Sequence, residues 1–125
     1  MGKTHSIKSF TDLDTWKEGH GLVLLIYNIT KNFPKEEIFG LSSQIRRAAV
    51  SVTSNIAEGF ARQTPNDKVH FYYMAHGSLT ELQNQLIIGR DVKYINEKTF
   101  LKLADQSVIV HKLINGLIKS TKARV

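Results

Sequence analysis

The stretch GLSSQIRRAAVSVTSNIAEGFAR, residues 40–62, decides the fold. Its apolar side chains Leu41, Ile45, Ala48/Ala49, Val52 and Ile56, with Ile38 just before them, recur at steps of three and four, the period of one inward helix face. No proline interrupts it. Beside the apolar face runs a polar stripe with the same steps: Gln44, Arg47, Ser51, Asn55, Glu58 and Arg62. A strand would alternate its polarity every second residue, which this stretch does not do. It reads as a long amphipathic helix.

Punctuation on either side extends the pattern to the whole chain. Upstream, Phe33-Pro34 closes a first helix, because the proline ring disfavours helical geometry at the residue before it. Pro34 also opens the second helix, with Glu36 and Glu37 in its first turn and Gly40 making that turn irregular. The first helix has an apolar seam of Leu13, Trp16, His20, Val23, Tyr27 and Thr30, widened by Leu22, Ile26, Ile29 and Phe33. Thr11-x-x-Asp14 reads as its capping box. Downstream, Thr64-Pro65-Asn66-Asp67 is a helix start with Thr as N-cap and Pro at the first position. Asn96 caps a fourth helix that carries Phe100, Leu101, Ala104, Val108, His111, Ile114 and Ile118.

Helices are therefore expected at about 12–32, 35–62, 65–92 and 97–120, after an N-terminal arm (1–11) and before a basic tail (121–125). Short links make sequence neighbours antiparallel. The expected fold is all-α, an antiparallel up-down-up-down four-helix bundle. One domain suffices for 125 residues, and 42% hydrophobic content supplies a core.

Composition bounds the function. The absence of cysteine removes disulfides, thiolate metal sites and cysteine nucleophiles. The N-terminus lacks the apolar segment of a secretory signal, and the longest apolar run, Leu22 to Tyr27, is too short to span a bilayer. The expected location is cytoplasmic, with no membrane partner. Asp67-x-x-His70 is a lone candidate for a bundle metal site and has no second copy, and His70 and His76 point to different helix faces. His20 and His111, on apolar stripes, read as hydrogen-bonded core residues. With no nucleotide-binding loop and no nucleophile elbow, no catalytic residue, metal or cofactor is expected, and the chain is read as not an enzyme.

The net charge is +6, and the excess gathers in Lys98, Lys102, Lys112, Lys119, Lys122 and Arg124 against Glu97 and Asp105. Such a segment favours polyanions. The polar stripe of helix two, echoed by Ser78, Glu81 and Gln85 on helix three, admits three readings: solvated surface, a buried network that fixes register, or a recognition surface. On the network reading Asn55 and Glu58 are largely buried and hydrogen-bonded.

The same stretch resembles, over residues 40–59, the signature of the four-helix bundle family named for 23S rRNA intervening sequences, also labelled S23 ribosomal protein. Asp12-Leu13-x-x-Trp16-Lys17, Phe33-Pro34-Lys35-Glu36 and Ala75-His76-Gly77-Ser78-Leu79-Thr80-Glu81-Leu82 agree with it, so the resemblance covers roughly residues 10–118. Thr53 stands where a proline is common, which predicts a straighter helix two, and His76 stands where a basic residue is common. The resemblance implies a ring-like homo-oligomer, a pentamer. By analogy with the related accessory bundle of diversity-generating retroelements, it also implies contact with RNA or DNA. The expected function is a non-enzymatic oligomer that binds nucleic acid through phosphate contacts from Arg46, Arg47, Arg62, Lys112 and Lys119. Gln44, Ser51, Asn55, Glu58, Ser78 and Glu81 would form the polar network or an interface. The alternative is a scaffold that assembles with an unidentified protein partner and has no nucleic-acid role.

Overall fold

The computed structural model describes residues 6–124, so the start of the expected N-terminal arm (1–5) and Val125 of the expected tail lie outside the described residues. Four α-helices follow one another: α1 (Asp14–Thr30), α2 (Leu41–Ala61), α3 (Pro65–Asp91) and α4 (Glu97–Lys122). Short 3-10 turns at Phe10–Asp12 and Lys35–Glu37 precede α1 and α2. No strand occurs among the described residues. Each helix packs on its sequence neighbours and α1 closes against α4, while the backbones of the diagonal pairs α1/α3 and α2/α4 stand farther apart across the core. The fold is the antiparallel up-down-up-down bundle, in which α2 and α4 run parallel across the diagonal.

Local chemistry sets each boundary. Thr64 Oγ1 accepts the Asp67 N–H at 3.2 Å and Asn96 Oδ1 accepts the Thr99 N–H at 2.8 Å, as their positions in sequence require. At α1 the capping box is not Thr11 with Asp14 but Ser9 with Asp12. Ser9 Oγ accepts the Thr11 N–H, and the Asp12 carboxylate accepts the Lys8 and Ser9 N–H groups at 2.9 and 3.0 Å. That box is spent on the 3-10 turn, so α1 starts at Asp14.

Helix two likewise begins at Leu41 rather than 35, which leaves Ile38, expected to face inward, outside the helix and exposed. Gly40 leaves helical geometry (φ −111°, ψ −118°), and Pro34 to Glu37 form only the separate 3-10 turn. Glu37 then caps α2 from outside: its carboxylate accepts the Leu41 N–H at 3.0 Å and the Tyr94 hydroxyl at 2.9 Å. Both bonds favour the ionised form and hold the Glu37 pKa below the usual 4.5, the Leu41 amide foremost. With Thr53 in place of proline, α2 runs unbroken from Leu41 to Ala61.

Leu22 and Ile26 of α1, Ile45, Val52 and Ile56 of α2, Tyr72, Leu79, Leu82 and Leu86 of α3, and Leu103, Val110 and Ile114 of α4 make the dry centre. The seam expected for α1 is rotated. Thr15, Gly19, Leu22, Val23, Ile26 and Thr30 are buried, whereas His20 and Tyr27 face outward. Gly19 explains the rotation: it lets α1 approach α2 so closely that a Cβ there would lie 3.1 Å from the Thr53 methyl. His20 is therefore no core histidine; it stacks on Trp16 at 4.6 Å.

Candidate nucleic-acid interface

The structure divides the five basic residues nominated from sequence. Arg46 and Arg47 lie near the start of α2, while Lys112 and Lys119 lie late in α4, the parallel helix across the diagonal. The two pairs thus occupy opposite sides and opposite ends of one bundle. Arg46 is committed locally: its Nε donates to Thr30 Oγ1 at 2.8 Å, and its guanidinium sits 5.0 Å from the Tyr27 ring centroid. Arg47 is exposed and makes no ion pair among the described residues. Arg62, just past α2, pairs with Glu58 at 3.1 Å and covers the Phe71 ring at 4.3 Å.

Lys112 and Lys119 belong to a different assembly. On α4, Lys112, Asn115, Lys119 and Lys122 follow the i, i+3, i+7, i+10 spacing that keeps residues on one face, and all four are exposed. On the adjoining α3, His70, Tyr73, Gly77 and Thr80 have the same spacing and the same exposure. Two contacts join the strips. The Lys122 ammonium donates to the Tyr73 hydroxyl at 2.9 Å, and the His76 and His111 rings pack with centroids 4.8 Å apart. His111 Nε2 lies 3.1 Å from Asn115 Nδ2.

The end of the bundle next to these strips gathers more positive charge. Lys68 Nζ donates to the Phe60 carbonyl at 2.6 Å, satisfying one of the carbonyls that the end of α2 leaves unpaired. Its pKa is lowered, first by burial and then by the nearby Arg124 charge. Arg124 also acts on Tyr72, whose pKa burial raises and Arg124 partly restores. Arg62, Lys68, Lys122 and Arg124 therefore surround the first turns of α3, helped by the positive dipole end of that helix. Neither Lys112, Lys119, Lys122 nor Arg124 makes an ion pair among the described residues, so their charge remains available to an anion.

The sequence points to Lys112 and Lys119 as phosphate contacts and counts Lys122 and Arg124 in the basic excess, but gives no sign of Lys68; of the adjoining Tyr72 and Tyr73 at most one can point fully inward, which by itself makes no stacking platform. Lys68 gives no sign because its proximity to Arg124 exists only once α4 has returned to the start of α3.

The polar stripe of α2 is mostly solvated. Gln44, Glu58 and Glu81 are exposed, and the Glu58 and Arg62 side chains of the ion pair are 57% and 46% exposed. A small network does exist at its centre. Ser51 Oγ and Ser78 Oγ are 2.8 Å apart across α2 and α3, and Asn55 Nδ2 donates to the Ser51 carbonyl at 2.9 Å. Asn55 is half-buried and bonded, as the network reading requires, but Glu58 is neither buried nor part of it. The reason is position: Glu58 lies one turn past Asn55 and pairs instead with Arg62 at i+4.

Among the described residues no group of three or more His, Asp or Glu side chains is placed to hold a metal ion, and no helix is long and apolar enough to cross a membrane.

A family model described as 23S rRNA-intervening sequence protein matches residues 11–116. Among solved structures, the chain is similar to a Bacteroides thetaiotaomicron protein of unknown function from the S23 ribosomal protein family. The TM-score is 0.78 at 23% identity, covering 84% of this chain and 98% of that one, a likeness of fold. No curated protein matches the chain.

Proposed function

The chain belongs to the 23S rRNA-intervening sequence protein family, and from that premise we propose that it is a non-enzymatic, oligomeric helical bundle that binds RNA or DNA through phosphate contacts. The observation that carries this reading is the strip Lys112, Lys119 and Lys122, exposed and without ion pairs among the described residues, beside Lys68 and Arg124. Lysines on a solvated helix face serve phosphates as point charges and read no base edge, so binding is nearly indifferent to sequence. Arg46 is engaged by Thr30 and Tyr27 and Arg62 by Glu58 and Phe71, and Arg47 lies away from this strip.

The test is fluorescence anisotropy with a labelled oligonucleotide across a salt series. Replacing Lys112, Lys119 and Lys122 by glutamine lowers the log–log salt slope by about 0.7–0.9 per lost phosphate contact. Arg47→Gln leaves the slope near that of the unaltered protein. Binding by the triple variant with an unchanged slope would refute this assignment.

Assembly into a ring, a pentamer by family resemblance, is supported by apolar side chains that one bundle leaves in water: Leu24, Tyr27 and Val50 on the α1–α2 side, and Phe39, 93% exposed, in the link between them. Light scattering that gives only the 14.1 kDa monomer at micromolar concentration would exclude it. Phe39 is also what favours the second reading, a scaffold docking a protein partner, which takes over if no nucleic acid binds at about 50 mM salt, where phosphate attraction is strong.

A further inference from the structure

Gly77 is unexplained by packing. A Cβ built on Gly59 or Gly89 would strike a neighbouring side chain at 2.6 or 2.7 Å, so close packing requires glycine at both. As at the exposed Gly116 of α4, a Cβ at Gly77, in the middle of α3, would meet nothing within 4 Å. A glycine there weakens the helix relative to alanine and relieves no clash. What it does is leave open the surface beside Tyr73, one turn away on the same strip.

Tyr73 is itself half-exposed (50%), while its neighbour Tyr72 is buried at 2%. The hydrogen bond from Lys122 tethers its hydroxyl, so the ring is held in place rather than free to swing. His70 is exposed one turn before it, and Met74 is exposed beside it. The α3 strip thus offers aromatic and soft apolar surface, and the adjoining α4 strip offers Lys112, Lys119 and Lys122.

We propose, as a refinement of the phosphate-binding reading above and resting on it, that the α3–α4 face is a track for single-stranded nucleic acid: an unpaired base stacks on Tyr73 across the gap left by Gly77, while the α4 lysines hold the flanking phosphates. A duplex keeps its bases stacked on one another and presents phosphates alone, so it gains nothing from Tyr73. Unpaired bases of any identity stack on an aromatic ring, which suits a face with no base-reading groups.

The experiment compares labelled oligo-U and oligo-dT with a mixed-sequence duplex of equal length, all at about 50 mM salt. The unaltered protein binds both single strands more tightly than the duplex. Tyr73→Ala weakens single-strand binding by about 5- to 150-fold, the loss that one base–aromatic stack gives, and so removes most of the preference over the duplex. Tyr73→Phe retains most of the affinity. Gly77→Leu, which fills the gap without a core clash, also weakens single-strand binding while the protein melts no lower, so misfolding is not the cause. Equal affinity for duplex and single strands, with Tyr73→Ala silent, overturns the inference and leaves phosphate binding standing. Failure of every nucleic acid to bind overturns both.

Discussion

Gly59→Ala places a methyl group against the buried Tyr72 ring. The new Cβ would lie 2.6 Å from Cε1 and 2.8 Å from Cδ1 of Tyr72, and 3.0 Å from Cβ of Phe71. Tyr72 is buried among α2, α3 and α4 and cannot swing aside, and the Phe71 Cβ is fixed to the α3 backbone. Overpacking of this kind costs about 1–3 kcal/mol. Alanine returns at most about 1 kcal/mol of helix propensity, and less here because Gly59 stands in the last turn of α2. The net is a destabilisation of about 1–2 kcal/mol. Gly77→Ala is the control: the same chemical change, mid-helix, with nothing within 4 Å, stabilises by roughly 1 kcal/mol. For a domain of this size 1 kcal/mol moves Tm by about 3–6 °C. Thermal unfolding followed by circular dichroism should separate the two variants, one melting below the unaltered protein and the other above it. Gly59→Ala melting at or above the unaltered protein would refute the argument that α2 and α3 meet through that glycine.

Two other perturbations follow from the geometry. Glu58→Ala should cost less than about 1 kcal/mol, because its pair with Arg62 is solvated and gains little over water; a loss above about 2 kcal/mol in urea unfolding would restore Glu58 to a buried network. Glu37 has its pKa lowered by the Leu41 amide and the Tyr94 hydroxyl, so its stabilisation is complete above the ordinary value of 4.5 and is lost as pH falls through the lower folded value. Between about pH 6 and pH 3 the urea midpoint should therefore fall more steeply for the unaltered protein than for Glu37→Gln, and parallel curves would show that the cap contributes nothing.

The sequence by itself determined the four helices and their antiparallel order. Period, caps and breakers are local, and Pro34, Thr64-Pro65 and Asn96 act through backbone geometry within a turn of where they stand. It also carried the basic excess of the last segment, because charge adds up without regard to folding. Helix phase within the bundle was decided only by tertiary structure. A seam through Trp16, His20 and Tyr27 and one through Gly19, Leu22 and Ile26 are equally regular, and the choice falls to how closely Gly19 lets α1 approach Thr53. Helix pairing also parted Arg46 and Arg47 from Lys112 and Lys119, since residues far apart in sequence share a face only when the elements that bear them are neighbours, and α2 and α4 stand across the diagonal. By the same cause Tyr73 meets Lys122, and Lys68 comes close to Arg124, only after the chain has turned back on itself, which is why the proposed interface joins lysines legible in the sequence to contacts that local pattern could not show.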